Sequence, residues 1–209
     1  EIYTLSLHDA LPIFGRAVFG ISFDKAAART RLLALESAFF REGFRFRVRL
    51  SLSFAGALSI EHASLEVGSQ ADLIRVCLAG EPICSTDVVR YHKTADRSFH
   101  ERFYLTATAR GFDEVLFLNE RGEVAEAAIS NVIIRAAGRY YTPPLSSGLL
   151  NGIFRAYFLR TRPDCTERTL FVDDLASADA IYLCNSLRGL RRAVFDGSVV
   201  SGTDWERGK

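Results

Sequence analysis

The 209 residues, 48% hydrophobic and 24% charged, suffice to bury a core and to hold one large or two small domains. A net charge of +1 gives no electrostatic reason to expect nucleic acid or an anionic membrane as partner, and no apolar run is long enough to span a bilayer. Cys77, Cys84, Cys165 and Cys184 lack C-x-x-C spacing and the density of a disulfide scaffold. With His8, His62, His92 and His100 they form no zinc-spaced cluster, so the expectation is free thiols in a reducing cytoplasm and no metal.

Residues 1–14 (EIYTLSLHDALPIF) read as foreign to the rest of the chain, similar to the translated remnant of a sequencing adapter, and lack the basic start of a signal peptide. The alternative is a first strand over residues 2–7. Residues 23–42 have a helical pattern, with Asp24 as N-cap, alanines and leucines within, and Gly43 as the stop. Phe39 and Phe40 near its end are expected to pack on the adjoining sheet. Phe46, Val48, Leu50, Leu52 and Phe54 then alternate with Arg45, Arg47, Arg49, Ser51 and Ser53. That period of two predicts a half-buried strand with a basic, solvated outer face. The chain turns at Ala55-Gly56, returns over 58–62 and adds a strand over 73–78. Together these predict a small antiparallel α+β domain over residues 15–90.

Residues 91–209 make up the larger expected domain. A helix over 99–109 leads to a hairpin, 114–119 and 123–127, turning at Glu120-Arg121-Gly122. A second pair, 132–135 and 139–142, turns at Gly138 and is stopped by Pro143-Pro144; Ser146-Ser147-Gly148 is loop. A helix over 153–160 opens at Gly152. A strand over 166–171, a helical turn from Asp173, a buried strand over 180–184 and a strand over 190–195 complete a barrel-like unit. Residues 197–209 are expected to fray.

Four segments carry chemistry. They are Tyr91-His92-Lys93-Thr94-Ala95-Asp96-Arg97; Val124 to Val132 (VAEAAISNV); Tyr141 to Arg155 (YTPPLSSGLLNGIFR); and Leu183-Cys184-Asn185-Ser186-Leu187. A lone lysine is ordinarily a solvated cation. A lysine in a lined pocket can lose its proton and attack a carbonyl. In this order and spacing the four segments resemble the fold-type IV pyridoxal-phosphate enzymes, which include branched-chain and D-amino acid aminotransferases and aminodeoxychorismate lyase. The likeness is dense over residues 91–195 and leans to the lyase through His92-Lys93-Thr94, Asn151-Gly152-Ile153-Phe154-Arg155 and the Cys184 to Leu187 run.

The resemblance implies an α+β, D-amino acid aminotransferase-like fold and pyridoxal 5'-phosphate as cofactor. It makes Lys93 the residue that holds the cofactor's aldehyde and then moves protons on the substrate. Glu126, with Asn131 at the family's interval, would keep the ring nitrogen protonated. Gly152, Ile153 and Phe154 at a helix N-terminus would take the phosphate, aided by Ser186, and Leu150 would lie against the ring. Phe154 stands where a small or hydroxyl residue is usual, so only its backbone could serve. The family's N-terminal helix and its phosphate-gripping arginine have no clear counterpart, since Arg16 adjoins the foreign-looking start. Arg188 is a candidate for a substrate carboxylate, or a surface arginine.

The reaction implied is conversion of 4-amino-4-deoxychorismate to 4-aminobenzoate and pyruvate, a step of folate biosynthesis. Alternatives are a class IV aminotransferase of branched-chain or D-amino acids, or a truncated fragment without activity. A cytoplasmic homodimer is also implied, with an aminodeoxychorismate synthase component upstream in the full-length gene a further expectation.

Overall fold

In the computed structural model, which describes residues 20–22, 24–39, 45–65 and 73–202, the first regular element is helix α1, Lys25–Phe39. Asp24 starts it as expected, its Oδ1 accepting from the Ala27 amide at 3.0 Å and so satisfying one N–H that the helix cannot. Strands β1 (Arg45–Leu52) and β2 (Leu58–Leu65) pair antiparallel, Leu52 opposite Leu58. Their turn closes through Gly56, whose amide donates to Ser53 O at 2.9 Å and whose φ of +80° favours glycine. Arg31 on α1 donates to Leu58 O at 2.9 Å, joining helix to hairpin. Arg47 and Arg49 are exposed, as a solvated basic face requires. The expectations for residues 1–14, for Arg16, for the packing of Phe39 and Phe40 and for residues 203–209 lie outside the described residues.

The chain divides into two compact units, Glu1–Gln70 and Ala71–Lys209. The second contains strands β3 (Ile74–Ala79), β4 (Glu114–Leu118), β5 (Val124–Ala127), β6 (Asn131–Ala136), β7 (Arg139–Thr142), β8 (Cys165–Glu167), β9 (Ala180–Asn185) and β10 (Gly189–Val200). Its helices are α2 (Ser98–Ala109), α3 (Ile153–Thr161) and α4 (Val172–Ser177). The strand order is β5-β4-β3-β10-β9-β6-β7-β8. One additional pairing, Glu126 on β5 with Asn131 on β6, closes the strands from β5 to β6 into a barrel, which removes the open edges there.

Side-chain alternation divides the core in two. Ile74, Val76, Leu78, Leu116, Val124, Val132, Ile134, Ile181 and Leu183 form one cluster with Leu175 of α4. Cys77, Ala79, Val115, Phe117 and Ala125 point the other way and meet Phe103 and Ala107 of α2. Phe103 and Phe117 are both 0% exposed, each contributing about 1.5–3 kcal/mol by leaving water. A third cluster sets Phe154 and Phe158 of α3 on Ile133, Cys165 and Cys184.

Three expectations are corrected. The strand over 73–78 belongs to the large sheet, not to the small domain. As β3 it runs parallel to both β4 and β10, and its residues are buried apart from Arg75, the mark of a central parallel strand. The boundary therefore falls between Gln70 and Ala71, well before Arg90. The chain is not frayed from Gly197: β10 bulges between Phe195 and Val199 and resumes beside Leu78 and Ala79, with Gly80 donating to Val200 O at 2.8 Å. The strand expected over 166–171 is only Cys165–Glu167. Beyond it the Phe171 amide donates to Asp174 Oδ2 at 2.8 Å and opens α4. Among the described residues no helix is long and apolar enough to cross a membrane, and no His, Cys, Asp or Glu cluster could hold a metal.

Candidate active site

The barrel seam positions the acid. Glu126 and Asn131 face each other across it, each 5% exposed. The turn between them, residues 128–130, is braced from below by Glu114, which accepts from Ile129 N at 2.7 Å and Ser130 Oγ at 2.9 Å. Burial pushes the Glu114 carboxyl up to about 7, against the pull of those two donors and of the Arg188 and Arg191 charges. Asn185 at the end of β9 donates to Ile129 O and Ser130 Oγ, both at 3.2 Å. Arg97 donates to Ala128 O.

Above the seam, Glu126 and Asn131 grip one residue, Leu150, through its amide and its carbonyl. Leu150 N donates to Glu126 Oε2 at 3.0 Å, and Asn131 Nδ2 donates to Leu150 O at 2.8 Å. Gly152 N also donates to Leu150 O, at 2.8 Å. The chain is thereby delivered into α3 with Gly152 as N-cap and no side chain capping the helix, leaving a site where backbone N–H groups and the helix dipole favour an anion. Glycine is required at 152 by close approach: a Cβ there would lie 2.0 Å from Asn131 Oδ1. Arg155, 2% exposed, anchors the first turn of α3 through Pro143 O at 2.7 Å and an ion pair with Glu167. The Phe154 ring is buried among Phe158, Ile133 and Cys184, which takes its side chain out of the helix start.

The loop that carries the lysine lines a cleft with Glu126. A 3-10 turn, Val88–Tyr91, is capped by Asp87, whose Oδ1 accepts from Val89 N at 3.1 Å. Tyr91 Oη donates to Ser85 O at 2.7 Å. Asp96 Oδ1 then accepts from the Ser98 amide at 3.1 Å and from its hydroxyl at 2.9 Å, starting α2. Between these anchors Lys93 is exposed. Its neighbours His92 and Thr94 line a cleft together with Arg90, Arg97, Phe99, His100 and Glu126. The lysine expected in a lined pocket is thus at the lip of one. The backbone at His92 is extended (φ −122°, ψ 143°), and extended chain sends alternate side chains to opposite sides.

A polar clamp on the β4–β5 turn holds the segments that lead to Lys93 and to Leu150. Ser85 donates through N and Oγ to Glu120, at 2.7 and 2.6 Å, and those bonds hold the Glu120 carboxyl down at about 2. Arg121 grips Glu123 with two bonds of 2.8 Å and donates to Ser146 O at 2.8 Å. Glu123 also accepts from Ser147 Oγ at 2.9 Å and Asn119 Nδ2 at 2.8 Å, and the Arg121 fork holds its carboxyl down at about 2. The segments before Lys93 and before Leu150 are therefore tied to one hairpin turn.

The structure thus unites Glu126, Asn131, Leu150, Gly152 and, through α3, Ile153. Ser186 and Arg188 are exposed on the turn between β9 and β10, where Asn185 Oδ1 accepts from Leu187 N at 3.1 Å and Arg188 N at 2.9 Å. Cys184, two residues before Ser186, is the register partner of Asn131, and the Arg188 charge acts on Glu114 beneath the corner. Arg90 and His100 stand in the cleft wall and are the two residues that sequence reasoning misses. Both flank Lys93 in sequence, and His100 falls in the first turn of the helix expected after it, but no spacing distinguishes them from surface residues. His100 Nε2 lies 3.4 Å from Glu126 Oε1 and, though buried, has no hydrogen-bond partner among the described residues.

The donor set fits pyridoxal phosphate in part. A buried carboxylate, an uncapped helix N-terminus drawn to it through Leu150, and a cleft wall with an unmatched His100 nitrogen are present. The lysine is exposed on the loop that lines this cleft.

Comparison with known proteins identifies the fold and the family. A solved structure from Mesorhizobium loti, assigned provisionally as an amino-acid aminotransferase, has 30% identity and a TM-score of 0.78 over 90% of each chain. The Thermobaculum terrenum branched-chain amino acid aminotransferase in its pyridoxal-phosphate form matches at 20% identity and TM-score 0.72, covering 93% of this chain and 69% of that one. Aminodeoxychorismate lyase of Bacillus subtilis is 37% identical over 79 residues, 35% of this chain and 27% of the lyase. The chain spans from 27% to 66% of the length of the curated relatives it matches. The profile of the amino-transferase class IV family matches residues 24–194, and so takes in α1, with its Arg29 and Arg31, as well as the whole Glu126 corner. On that match, and on a barrel shared with fold-type IV enzymes, the chain belongs to the class IV amino-transferase family.

Proposed function

We propose that this chain binds pyridoxal phosphate between the Lys93 loop and the Glu126 corner and acts as an aminodeoxychorismate lyase-like enzyme, converting 4-amino-4-deoxychorismate to 4-aminobenzoate and pyruvate. The observation that carries the reading is Leu150 held between Glu126 and Asn131, which sets a buried carboxylate beside an uncapped helix N-terminus. Bound there, the cofactor would supply an electron sink for the carbon losing its proton.

The chain's own residues have separable tasks. Glu126 Oε1, whose sister oxygen is committed to Leu150 N, offers negative charge to a protonated ring nitrogen. The amides at the start of α3 take the phosphate, with Gly152 allowing close approach and the Ser186 hydroxyl adding a donor. Leu150 covers one ring face. Lys93 Nζ would hold the cofactor and would carry a proton away from the substrate carbon, its exposed side chain reaching into the cleft from the loop of residues 92–97. Arg188 is available to a substrate carboxylate at the rim.

The lyase reading is supported by the Cys184 to Leu187 run and by the Bacillus lyase match. An aminotransferase reading has its own support in the Mesorhizobium structure, whose match extends over 90% of both chains. Incubation with aminodeoxychorismate, and separately with an amino acid plus 2-oxoglutarate, distinguishes them. 4-Aminobenzoate in the first arm is expected; transamination with none formed replaces the lyase by the aminotransferase. Borohydride reduction and peptide mass mapping should place a pyridoxyl group on Lys93 in wild type and nowhere in Lys93→Ala. A label distributed over surface lysines would end the cofactor reading.

A further inference from the structure

We infer that Arg90 forms an oxyanion subsite in the wall of the cleft, built to receive a substrate carboxylate or the cofactor's phosphate. The Arg90 side chain is 13% exposed, and its Nε and Nη1 are buried with no hydrogen-bond partner among the described residues. Its nearest counter-charge is Asp87 Oδ2, 3.8 Å from Nε, too long for a hydrogen bond. The guanidinium lies over the Phe99 ring, 5.3 Å from its centroid, an arrangement that orients the planar fork without using its N–H groups.

A guanidinium removed from water with two nitrogens unmatched is a costly arrangement for a folded chain, and an incoming oxyanion would recover the loss with a bidentate, charge-assisted pair. The other charged groups in the wall are already engaged. Arg97 donates to Ala128 O, Asp96 accepts from Ser98, and Glu126 accepts from Leu150 N. Arg90 lines the same cleft as Glu126 and His100, three residues before Lys93, so an anion on its fork lies beside the proposed reaction site. For the owner of the oxyanion this inference rests on the proposed function; the existence of the subsite does not depend on it.

The test is calorimetric titration of the cofactor-free chain with 4-aminobenzoate and with inorganic phosphate, in wild type, Arg90→Lys and Arg90→Gln. Wild type is expected to bind at least one anion, Arg90→Gln to bind it roughly tenfold or more weakly, and Arg90→Lys to fall between. Stronger binding of 4-aminobenzoate assigns the subsite to a substrate carboxylate. Stronger binding of phosphate, displaced by pyridoxal phosphate, assigns it to the cofactor. Equal binding by wild type and Arg90→Gln, or no binding by wild type, overturns the inference. Should Arg90→Gln fail to fold, Asp87→Asn decides: removing the competing carboxylate should tighten anion binding severalfold, and unchanged binding overturns the subsite. The borohydride label on Lys93 is scored separately, so loss of the cofactor reading and loss of this one remain distinguishable.

Discussion

The Glu126 corner and the Lys93 loop face the same cleft and are built in opposite ways. At the corner, two buried side chains hold Leu150 by its amide and its carbonyl, the turn beneath is fixed by Glu114 and Asn185, and a barrel closure runs through the pair. In the loop, short-range bonds predominate, from Val89 to Asp87 and from Ser98 to Asp96, and the lysine is exposed. The contrast matches what each task demands. A carboxylate that tunes a ring must keep its place without help from the ligand. An amine that attaches, detaches and carries protons has to be reachable by its ligand, and a lysine exposed on a short loop meets that demand.

The comparison can be broken from beneath the corner, where the largest effect is expected. The Glu114 carboxyl titrates near 7 because burial disfavours its charge, against an ordinary value of 4.5. The folded state therefore holds the proton more tightly. Its contribution to stability is complete below about pH 4.5 and is lost as pH rises through about 7, a change of the order of 3 kcal/mol. Urea unfolding of wild type and Glu114→Gln between about pH 4.5 and 8.5 measures it. The wild-type curve should fall more steeply over that window, and parallel curves would show that the brace carries no such linkage. A smaller effect is expected for Gly152→Ala. The backbone at 152 (φ −62°, ψ 139°) suits alanine, so the cost is steric: the new methyl needs the space of Asn131 Oδ1. Asn131 would swing away and release Leu150 O, destabilising the fold by roughly 2 kcal/mol. A thermal melt as high as that of wild type would mean that the corner yields to the methyl without loss.

Legibility in the sequence divides along the same line. Elements with strong period or punctuation, such as the 114–127 hairpin turning at Gly122 and the helix after Gly152, are readable within a residue or two, because local chemistry decides them. Glu126 and Asn131 stand out in the sequence by the spacing of the motif that resembles the family, whereas the turn between them is held by the distant Glu114 and Asn185. Partnership is not readable. Sequence pattern places β3 in the wrong sheet because a buried strand has no mark naming its neighbours. Those neighbours are distant along the chain: Val76 pairs with Glu114 on β4 and with the level of Phe195 on β10. Arg90 and His100 escape notice for a related reason: their burial comes from Phe99, Phe117 and the seam, and a polar residue carries no local sign that it will be enclosed. Lys93 is singled out by its motif context, but its exposure belongs to the loop that carries it, a detail below the reach of pattern.

The sharpest discrimination within the corner comes from Glu126, whose two oxygens are assigned different duties. Oε2 is structural, satisfying Leu150 N; Oε1 faces His100 at 3.4 Å and the cleft. Glu126→Gln retains a carbonyl oxygen for Leu150 N and removes the charge, so its unfolding free energy should stay within about 0.5 kcal/mol of wild type. Glu126→Ala also removes the acceptor, strands a buried N–H and should cost about 1–2 kcal/mol. If the charge on Oε1 tunes a bound ring, the two variants should be equally impaired in turnover and in the absorbance of bound pyridoxal phosphate despite their different stabilities. If Glu126 only holds the Leu150 loop, Glu126→Gln should behave as wild type in all three measurements. The pair therefore separates the side chain as a strut from the side chain as a charge.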